Sequence, residues 1–434
     1  MKVSKYNIVE RHNDLILLFN SYSGKLLCLK WDKAIYDALC GKISIDSLNE
    51  IVINKLYEFD FFIDDGIDED KLVELKKFDF IYNSALKLEI IPTLLCNFQC
   101  AYCYEEHNGT IINETIINSI KLFVSKYIGN YSSVEIFWFG GEPLLARDAI
   151  ININSYVKEI AARCNKKFFS SITTNGYLLN SKTFDELCKA GVKSYNITFD
   201  GAKKFHDEIR FTQNGEGSYD KIIDNLKQIS KKAGFYKITL RCNITKSSIV
   251  SINEFITEIN ELFAYDERFK VYFRPVGDWG GQTVKSMKDE LLNGNYEIYD
   301  TLFTSTIQKS IINFDYQFLW SGDNNLCEAN QRNYFVINYN GDILKCTKHL
   351  NNNLNIIGKI AENGNLIIDK FKMANWILPQ TQKHSTCLQC KSYANCFSLQ
   401  CAIDCHNTCE CSELFLKQQL KLQYLYNRKD FIEI

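Results

Sequence analysis

Three thiols on one short loop constrain this chain more than any other feature. They stand in the segment Cys96-Asn-Phe-Gln-Cys100-Ala-Tyr-Cys103. The loop follows a largely apolar run, Leu86 to Leu95, that reads as a buried strand. Three cysteines closing one loop around a metal leave one ligand position empty. In an iron–sulfur cluster normally held by four thiolates, that leaves one iron free for a ligand that is not protein. Tyr102, just before the last cysteine, would pack beside such a ligand.

The remaining composition narrows the class. At 434 residues the chain is long enough for two or three domains. Its 46% hydrophobic content is that of a globular protein, and a net charge of −2 gives no reason to expect nucleic acid or a membrane as partner. The apolar runs are strand-length, and the start, MKVSKYNIVERHND, lacks the apolar centre of a signal peptide, so a cytoplasmic chain is expected. Seventeen cysteines there are not expected to form disulfides. Cys28, Cys40, Cys164, Cys188 and Cys242 read as small buried hydrophobes. The other twelve fall in two groups, 96–103 and 327–411, which points to metal.

Residues 1–85 hold three short strands, Tyr6–Glu10, Leu15–Phe19 and Leu26–Lys30. Helical spacing follows at Trp31–Cys40, Ile45–Phe59 (Asp46 or Ser47 suiting an N-cap) and Lys71–Lys77. From 86 to 276, strands alternate with helices. The strands read as Lys87–Leu94, Val134–Phe139, Lys167–Thr173, Ser194–Phe199, Lys237–Asn243 and Lys270–Pro275. Helical stretches lie between them at Asn113–Ile128, Arg147–Cys164, Ser181–Ala190, Tyr219–Lys232 and Ile252–Phe263. Six such units predict an α/β fold with a parallel sheet and helices outside, its ligands at the carboxyl ends of the strands. Residues 277–326 read as a connecting region with helices at Ser286–Leu292 and Tyr296–Ile312.

Motifs stand at those strand ends. After the cysteine loop comes Gly140-Gly141-Glu142-Pro143, whose glycines let the backbone approach a ligand and whose Glu142 can accept from an ammonium group. Thr173-Thr174-Asn175-Gly176 follows the third strand. Asp200-Gly201, His206-Asp207 and Arg210 follow the fourth, and Arg241 lies near the end of the fifth. The cysteine loop resembles the CX3CXφC signature of radical S-adenosylmethionine (SAM) enzymes, φ being aromatic, and Gly140–Pro143 resembles that family's GGEP motif. The resemblance implies a partial (β/α)6 TIM-type barrel. In it Cys96, Cys100 and Cys103 would hold a [4Fe–4S] cluster, and Tyr102, Gly140, Gly141, Glu142, Pro143, Thr173, Asn175, Asp200 and Arg210 would line the SAM pocket. The run from Asp200 to Arg210 is similar to that of the branch that modifies peptides and proteins. The other reading of Arg210 is an ion pair with Asp207 or Glu208.

Residues 327–434 carry the second thiol group. Cys327 precedes Gly341 and, four residues further, Cys346; Tyr334–Tyr339 and Asp342–Lys345 read as a hairpin turning at Asn340-Gly341. Cys387, Cys390, Cys396, Cys401, Cys405, Cys409 and Cys411 follow. The pattern resembles the SPASM extension, which binds two auxiliary [4Fe–4S] clusters, although Cys396 and Cys401 are separated by four residues where the pattern has three. By that resemblance one cluster takes Cys387, Cys390, Cys396 and either Cys409 or Cys411. The other takes Cys327, Cys346 and either or both of Cys401 and Cys405. Such Cx2C pairs also bind zinc, a reading that leaves the motifs at the strand ends unexplained.

Residues 1–85 look like the winged-helix-like module that captures a leader peptide by adding it as a strand; the alternative is a cap over the barrel. The resemblance therefore implies an anaerobic oxidoreductase with three [4Fe–4S] clusters, SAM, a ribosomally made precursor peptide and an electron donor such as flavodoxin or ferredoxin. Its expected product is a crosslink, a Cys thioether of the sactipeptide or ranthipeptide kind. Sulfatase maturation is the nearest alternative, although Thr347 stands where those enzymes carry an aspartate base. A non-catalytic iron–sulfur carrier would explain the cysteines but not GGEP. No catalytic acid or base is named from the sequence.

Overall fold

The computed structural model describes residues 1–277, 287–292, 302, 310–314, 326–378, 389–397, 401–403, 413–426 and 428–433. The chain opens with β1 (Lys2–Val3), β2 (Asn7–His12), β3 (Leu15–Asn20), β4 (Leu26–Lys30), α1 (Lys33–Leu39), α2 (Glu50–Glu58), β5 (Phe62–Ile63) and α3 (Glu69–Ile81). Strands β2, β3 and β4 form an antiparallel meander, as their spacing predicts. The helix expected over Ile45–Phe59 begins later. Asn49, not Asp46 or Ser47, caps α2 by accepting from the Ile51 amide, and Ile45–Ser47 is a separate 3-10 turn. Asp68 likewise caps α3, which extends past both expected ends.

Next come β6 (Leu86–Ile91), α4 (Glu114–Tyr127), β7 (Ser133–Trp138), α5 (Arg147–Arg163), β8 (Lys167–Thr174), α6 (Ser181–Ala190) and β9 (Ser194–Phe199). They are followed by α7 (Lys203–Ile209), α8 (Tyr219–Ser230), β10 (Lys237–Ile244), α9 (Ile252–Phe263), β11 (Phe269–Pro275) and β12 (Asn313–Phe314). Strands β6 to β12 lie side by side in chain order, all parallel. Leu88, Ile136, Ile197, Leu240 and Val271 point to the helices and have no exposed surface. Each such side chain contributes about 1.5–3 kcal/mol by leaving water. The alternate residues Glu89, Glu135, Asn196, Arg241 and Tyr272 face the other way and are only half-buried. The concave face is thus polar and open where the helix face is dry.

The last region has β13 (Tyr334–Asn338), β14 (Asp342–Leu344), β15 (Ile356–Ile360), β16 (Leu366–Ile368), α10 (Lys370–Ile377), α11 (Tyr393–Cys396), α12 (Glu413–Tyr426) and β17 (Ile432–Glu433). The expected hairpin is present, Val336 pairing with Leu344. Sequence periodicity did not foresee that β13 docks parallel to β6, from Tyr334 beside Lys87 to Asn338 beside Ile91. The parallel sheet and the hairpin region become one eleven-stranded sheet. Nor did it foresee the end of the described chain. Leu416, Leu420 and Phe431 pack on Ile8, Leu17 and Phe19, and β17 pairs with β4.

Among the described residues no helix is long and apolar enough to cross a membrane. The helix expected at Ser286–Leu292 is only a 3-10 turn, Lys288–Glu290, with Leu291 already extended. The helix expected at Tyr296–Ile312 lies largely outside the described residues, as do Cys387, Cys405, Cys409 and Cys411. Of the five scattered cysteines, Cys28 and Cys242 are buried and Cys188 half-buried, but Cys40 and Cys164 are exposed. These two follow the last turns of α1 and α5, where the chain leaves the core.

Gly140 and Gly141 pack directly under the strand-to-loop turn of β6. A Cβ at Gly141 would lie closer than 3.0 Å to the carbonyl oxygens of Leu94 and Leu95, and one at Gly140, where φ is +119°, would collide with Thr93 O. Gly141→Ala should therefore destabilise the protein by about 1–3 kcal/mol, the usual range for overpacking. A urea melt with an unchanged midpoint would contradict this packing.

Candidate active site

The cysteine loop leaves the end of β6 and is held by a second segment. The Gln99 amide donates to Phe211 O (2.9 Å), Ala101 to Ile209 O (3.0 Å) and Gln213 to Asn97 O (3.0 Å). The Gln213 side chain adds a bond to Cys96 O (2.6 Å). Residues 209–213 thus run along the loop as a short ladder, just after α7. Arg210 comes from this segment.

Arg210 and Asp200 meet at Tyr102. The Tyr102 hydroxyl shares its proton between both Asp200 carboxylate oxygens (2.7 and 2.8 Å). It accepts from Arg210 Nη1 (3.0 Å) and Asn243 Nδ2 (2.7 Å). Arg210 Nε lies 3.6 Å from Asp200, so the ion partner of Arg210 is Asp200 and not Asp207 or Glu208. Asp207 instead accepts from the Ser218 and Tyr219 amides and fastens the start of α8. Burial pushes the Asp200 carboxyl up to about 6, with Arg210 and Tyr102 opposing it. His206 is buried beside Ser218 (2.9 Å), and burial holds it neutral.

Glu142 is fully buried. It accepts from the Leu144 amide (2.9 Å), the Thr174 hydroxyl (2.7 Å) and the Asn175 amide (2.8 Å), tying the ends of β7 and β8 together. Asn175 donates to the Asn97 side chain (2.8 Å), joining the same unit to the cysteine loop. Pro143 opens the next turn and is buried, while Thr173 is half-buried on the concave face. Asn97, Gln213 and Asn243 are functional ties that sequence reasoning missed. Asn97, inside the cysteine spacing, was the one most readily found.

The thiol set fits a cluster. Cys96 is buried and Cys100 and Cys103 half-buried, and all three feel one another's charge. Burial pushes Cys96 and Cys103 up to about 12 and raises Cys100, which Arg210 counteracts. Thiolates so disfavoured call for compensating positive charge, which iron supplies. Arg210 Nε is buried without a hydrogen-bond acceptor, leaving a donor for an anionic ligand at the same place. Among the described residues no three His, Cys, Asp or Glu side chains gather as around a single metal ion. A cluster asks for a wider spread, because each thiolate binds a different iron.

A second thiol set lies beyond β13. Cys327, Cys346 and Cys401 are within electrostatic reach of one another. Asn355 fixes Cys346, accepting from the Lys345 and Cys346 amides (3.0 and 2.9 Å) and donating to Cys346 O (2.7 Å) and His349 O (2.9 Å). The buried Lys345 ammonium donates to Gln331 O and Tyr334 O (both 2.6 Å), which ties the Cys327 turn to the Cys346 strand. Cys390 and Cys396 are half-buried near α11. A cavity of about 350 Å³ lined by Tyr104, Glu105, Lys348, His349 and Asn351 lies between the end of the cysteine loop and the segment after Cys346.

Residues 90–256 match the Radical SAM superfamily. That family implies a [4Fe–4S] cluster and SAM. Among particular relatives, the chain is 27% identical over 192 residues to a probable GTP 3',8-cyclase from Sulfurisphaera tokodaii, covering 44% of this chain and 56% of that protein. It is 31% identical over 150 residues to a cysteine-type anaerobic sulfatase-maturating enzyme from Clostridium novyi, covering 33% and 40%. The chain thus spans 56% and 40% of the lengths of these two curated relatives. In fold it is similar to anSMEcpe with bound AdoMet and the Cp18Cys peptide (TM-score 0.58, 18% identity, 80% of this chain and 97% of that one). It is also similar to Streptococcus suis SuiB bound to precursor peptide SuiA (TM-score 0.51, 19% identity, 91% and 94%).

Two outcomes follow from this geometry. Tyr102→Phe leaves Asp200, Arg210 and Asn243 short of a buried partner and should cost about 1–3 kcal/mol in a urea melt; no change would show the network to be dispensable. Glu89, which accepts from the Tyr334 hydroxyl, is pushed by burial up to about 7. A carboxyl raised in the folded state gives stability below its unfolded value, and that stability is lost as pH rises through 7. Glu89→Gln should match the wild-type apoprotein near pH 4.5 and become the more stable of the two above pH 7. Parallel pH profiles of the two proteins would contradict the assignment.

Proposed function

We propose that the chain is a radical SAM peptide maturase. One observation carries this reading: the motifs that follow β6, β7, β8 and β9 converge on a single hydrogen-bonded unit around Cys96, Cys100 and Cys103. When bound there, a cluster and SAM supply a 5′-deoxyadenosyl radical that removes a hydrogen atom from an unactivated C–H. The chain's own residues do the holding. Glu142, already tied to Thr174 and Asn175, would turn a lone pair to the SAM ammonium. Arg210 would offer its unused Nε–H to the carboxylate. Gly140, Gly141 and Pro143 would leave room for the methionine part, and Tyr102, Thr173, Asn175 and Asp200 would line the rest.

The C-terminal thiols extend the reading. Cys327, Cys346 and Cys401 would hold one auxiliary [4Fe–4S] cluster, with Cys405 as the other candidate ligand. Cys387, Cys390, Cys396 and Cys409 or Cys411 would hold the second. The cavity beside Glu105 and His349 lies between the SAM-cluster loop and the first of these, a place where a peptide side chain would reach both. Residues 1–85 would receive the leader of a ribosomally made precursor along the outer strand β2, and a flavodoxin or ferredoxin would supply electrons. SuiB bound to SuiA supports a precursor as substrate by likeness of fold. A Cys thioether is the favoured product, with formylglycine formation as the alternative.

The test is anaerobic co-expression with a short peptide encoded beside this chain, followed by mass spectrometry with and without thiol alkylation. The expected result is loss of two hydrogens per event with a cysteine protected from alkylation. The same loss with every thiol reactive would replace the thioether by a carbon–carbon crosslink. Reduced, reconstituted protein that releases no 5′-deoxyadenosine from SAM would overturn the reading.

A further inference from the structure

On the concave face Lys87 and Glu89 of β6 and Glu135 of β7 mix both signs of charge, whereas β10 and β11 present only cations there: Arg241, Lys270 and Arg274. Arg241 is the unusual member. Its guanidinium has five N–H donors. Yet among the described residues it makes one hydrogen bond, from Nε to Asn243 Oδ1 (2.9 Å), and no ion pair. It is half-buried on the concave face, and burial together with Arg274 makes its charge costly. A partly desolvated guanidinium with no carboxylate partner favours an anion that completes it.

Its depth in the sheet defines its use. Arg241 lies beside Thr198 of β9 and Tyr272 of β11, and Asn243 beside Arg274. Asn243 and Asp200 make up the layer that holds Tyr102. Arg241 is two residues deeper along the same strand, about 6.6 Å at the rise of a β-strand. Asp200, the carboxylate whose charge feels Arg241, is already shared by Tyr102 and Arg210. An anion below the Tyr102 layer would meet Arg241 from the open, half-buried side.

The geometry points to Arg241 as the floor of a substrate subsite that takes a carboxylate, an acidic side chain of the peptide reaching past the reacting C–H. This rests on the maturase reading for the identity of the peptide but not for the existence of the anion site.

The probe is glutarate, with glutaramide as its uncharged counterpart, added to oxidised, cluster-reconstituted, SAM-loaded protein and followed by saturation-transfer NMR. Glutarate should take up saturation and glutaramide should not. Arg241→Gln should weaken glutarate binding at least tenfold, and Arg241→Lys, which keeps the charge but not the fork, should lie between. Both variants are first checked for wild-type iron content. An absent glutarate signal, an equal glutaramide signal, or a signal unchanged in Arg241→Gln would each overturn the site. Displacement of glutarate by micromolar GTP would overturn the peptide source and assign the anion to a nucleotide phosphate. Arg241-dependent binding in protein that releases no 5′-deoxyadenosine would keep the site while removing the maturase reading.

Discussion

One hydroxyl group holds the candidate site together. The Tyr102 phenol donates to Asp200 and accepts from Arg210 and Asn243, so β9, the segment after α7 and the end of β10 all close on the residue before Cys103. Its partners Asp200, Arg210 and Asn243 are all buried. In that setting a missing partner costs about 1–3 kcal/mol, far more than the net gain from making one neutral bond. The spacing of the three thiols is therefore fixed less by the loop's own sequence than by what surrounds it. Arg210 serves twice, since its charge both pairs with Asp200 and eases the thiolate of Cys100.

The sheet brings the rest to that loop. Parallel strands place every carboxyl end on one side, so the GGEP turn, Thr174-Asn175 and Asp200 arrive together although they are far apart in sequence. Strand β13 continues the sheet on the far side of β6, and the Cys346 turn follows from it. Asn355 and Lys345 then do for Cys346 and Cys327 what Tyr102 does for the first loop: fully used polar groups fix where a thiol stands. A polar concave face, dry on its helix side, is left open between the two thiol sets.

Much of this was legible in the sequence. Six of the seven strands β6 to β12 and the Asn340-Gly341 hairpin fall where alternation and turn residues place them, because both are local signals. The cysteine loop, Glu142 and Asp200 stood out because thiols, paired glycines and strand ends are themselves chemical signals. What escaped is non-local. Nothing in the neighbourhood of Arg210 says that Asp200, ten residues earlier, rather than Asp207 will face it. The asparagines 97, 243 and 355 are ordinary polar residues until the fold buries them beside backbone groups. The pairing of β13 with β6, and of β17 with β4, depends on segments hundreds of residues apart. Cys40 and Cys164 were misplaced because composition cannot tell a core thiol from one at the end of a helix.

The account depends on an open iron at the first loop. The most direct measurement is electron paramagnetic resonance of the reduced protein in which all nine cysteines from Cys327 to Cys411 are replaced by alanine. The account predicts one [4Fe–4S]+ signal, held by Cys96, Cys100 and Cys103, whose g-values shift when SAM is added. A signal that SAM leaves unchanged, or no cluster at all on those three thiols, would contradict it.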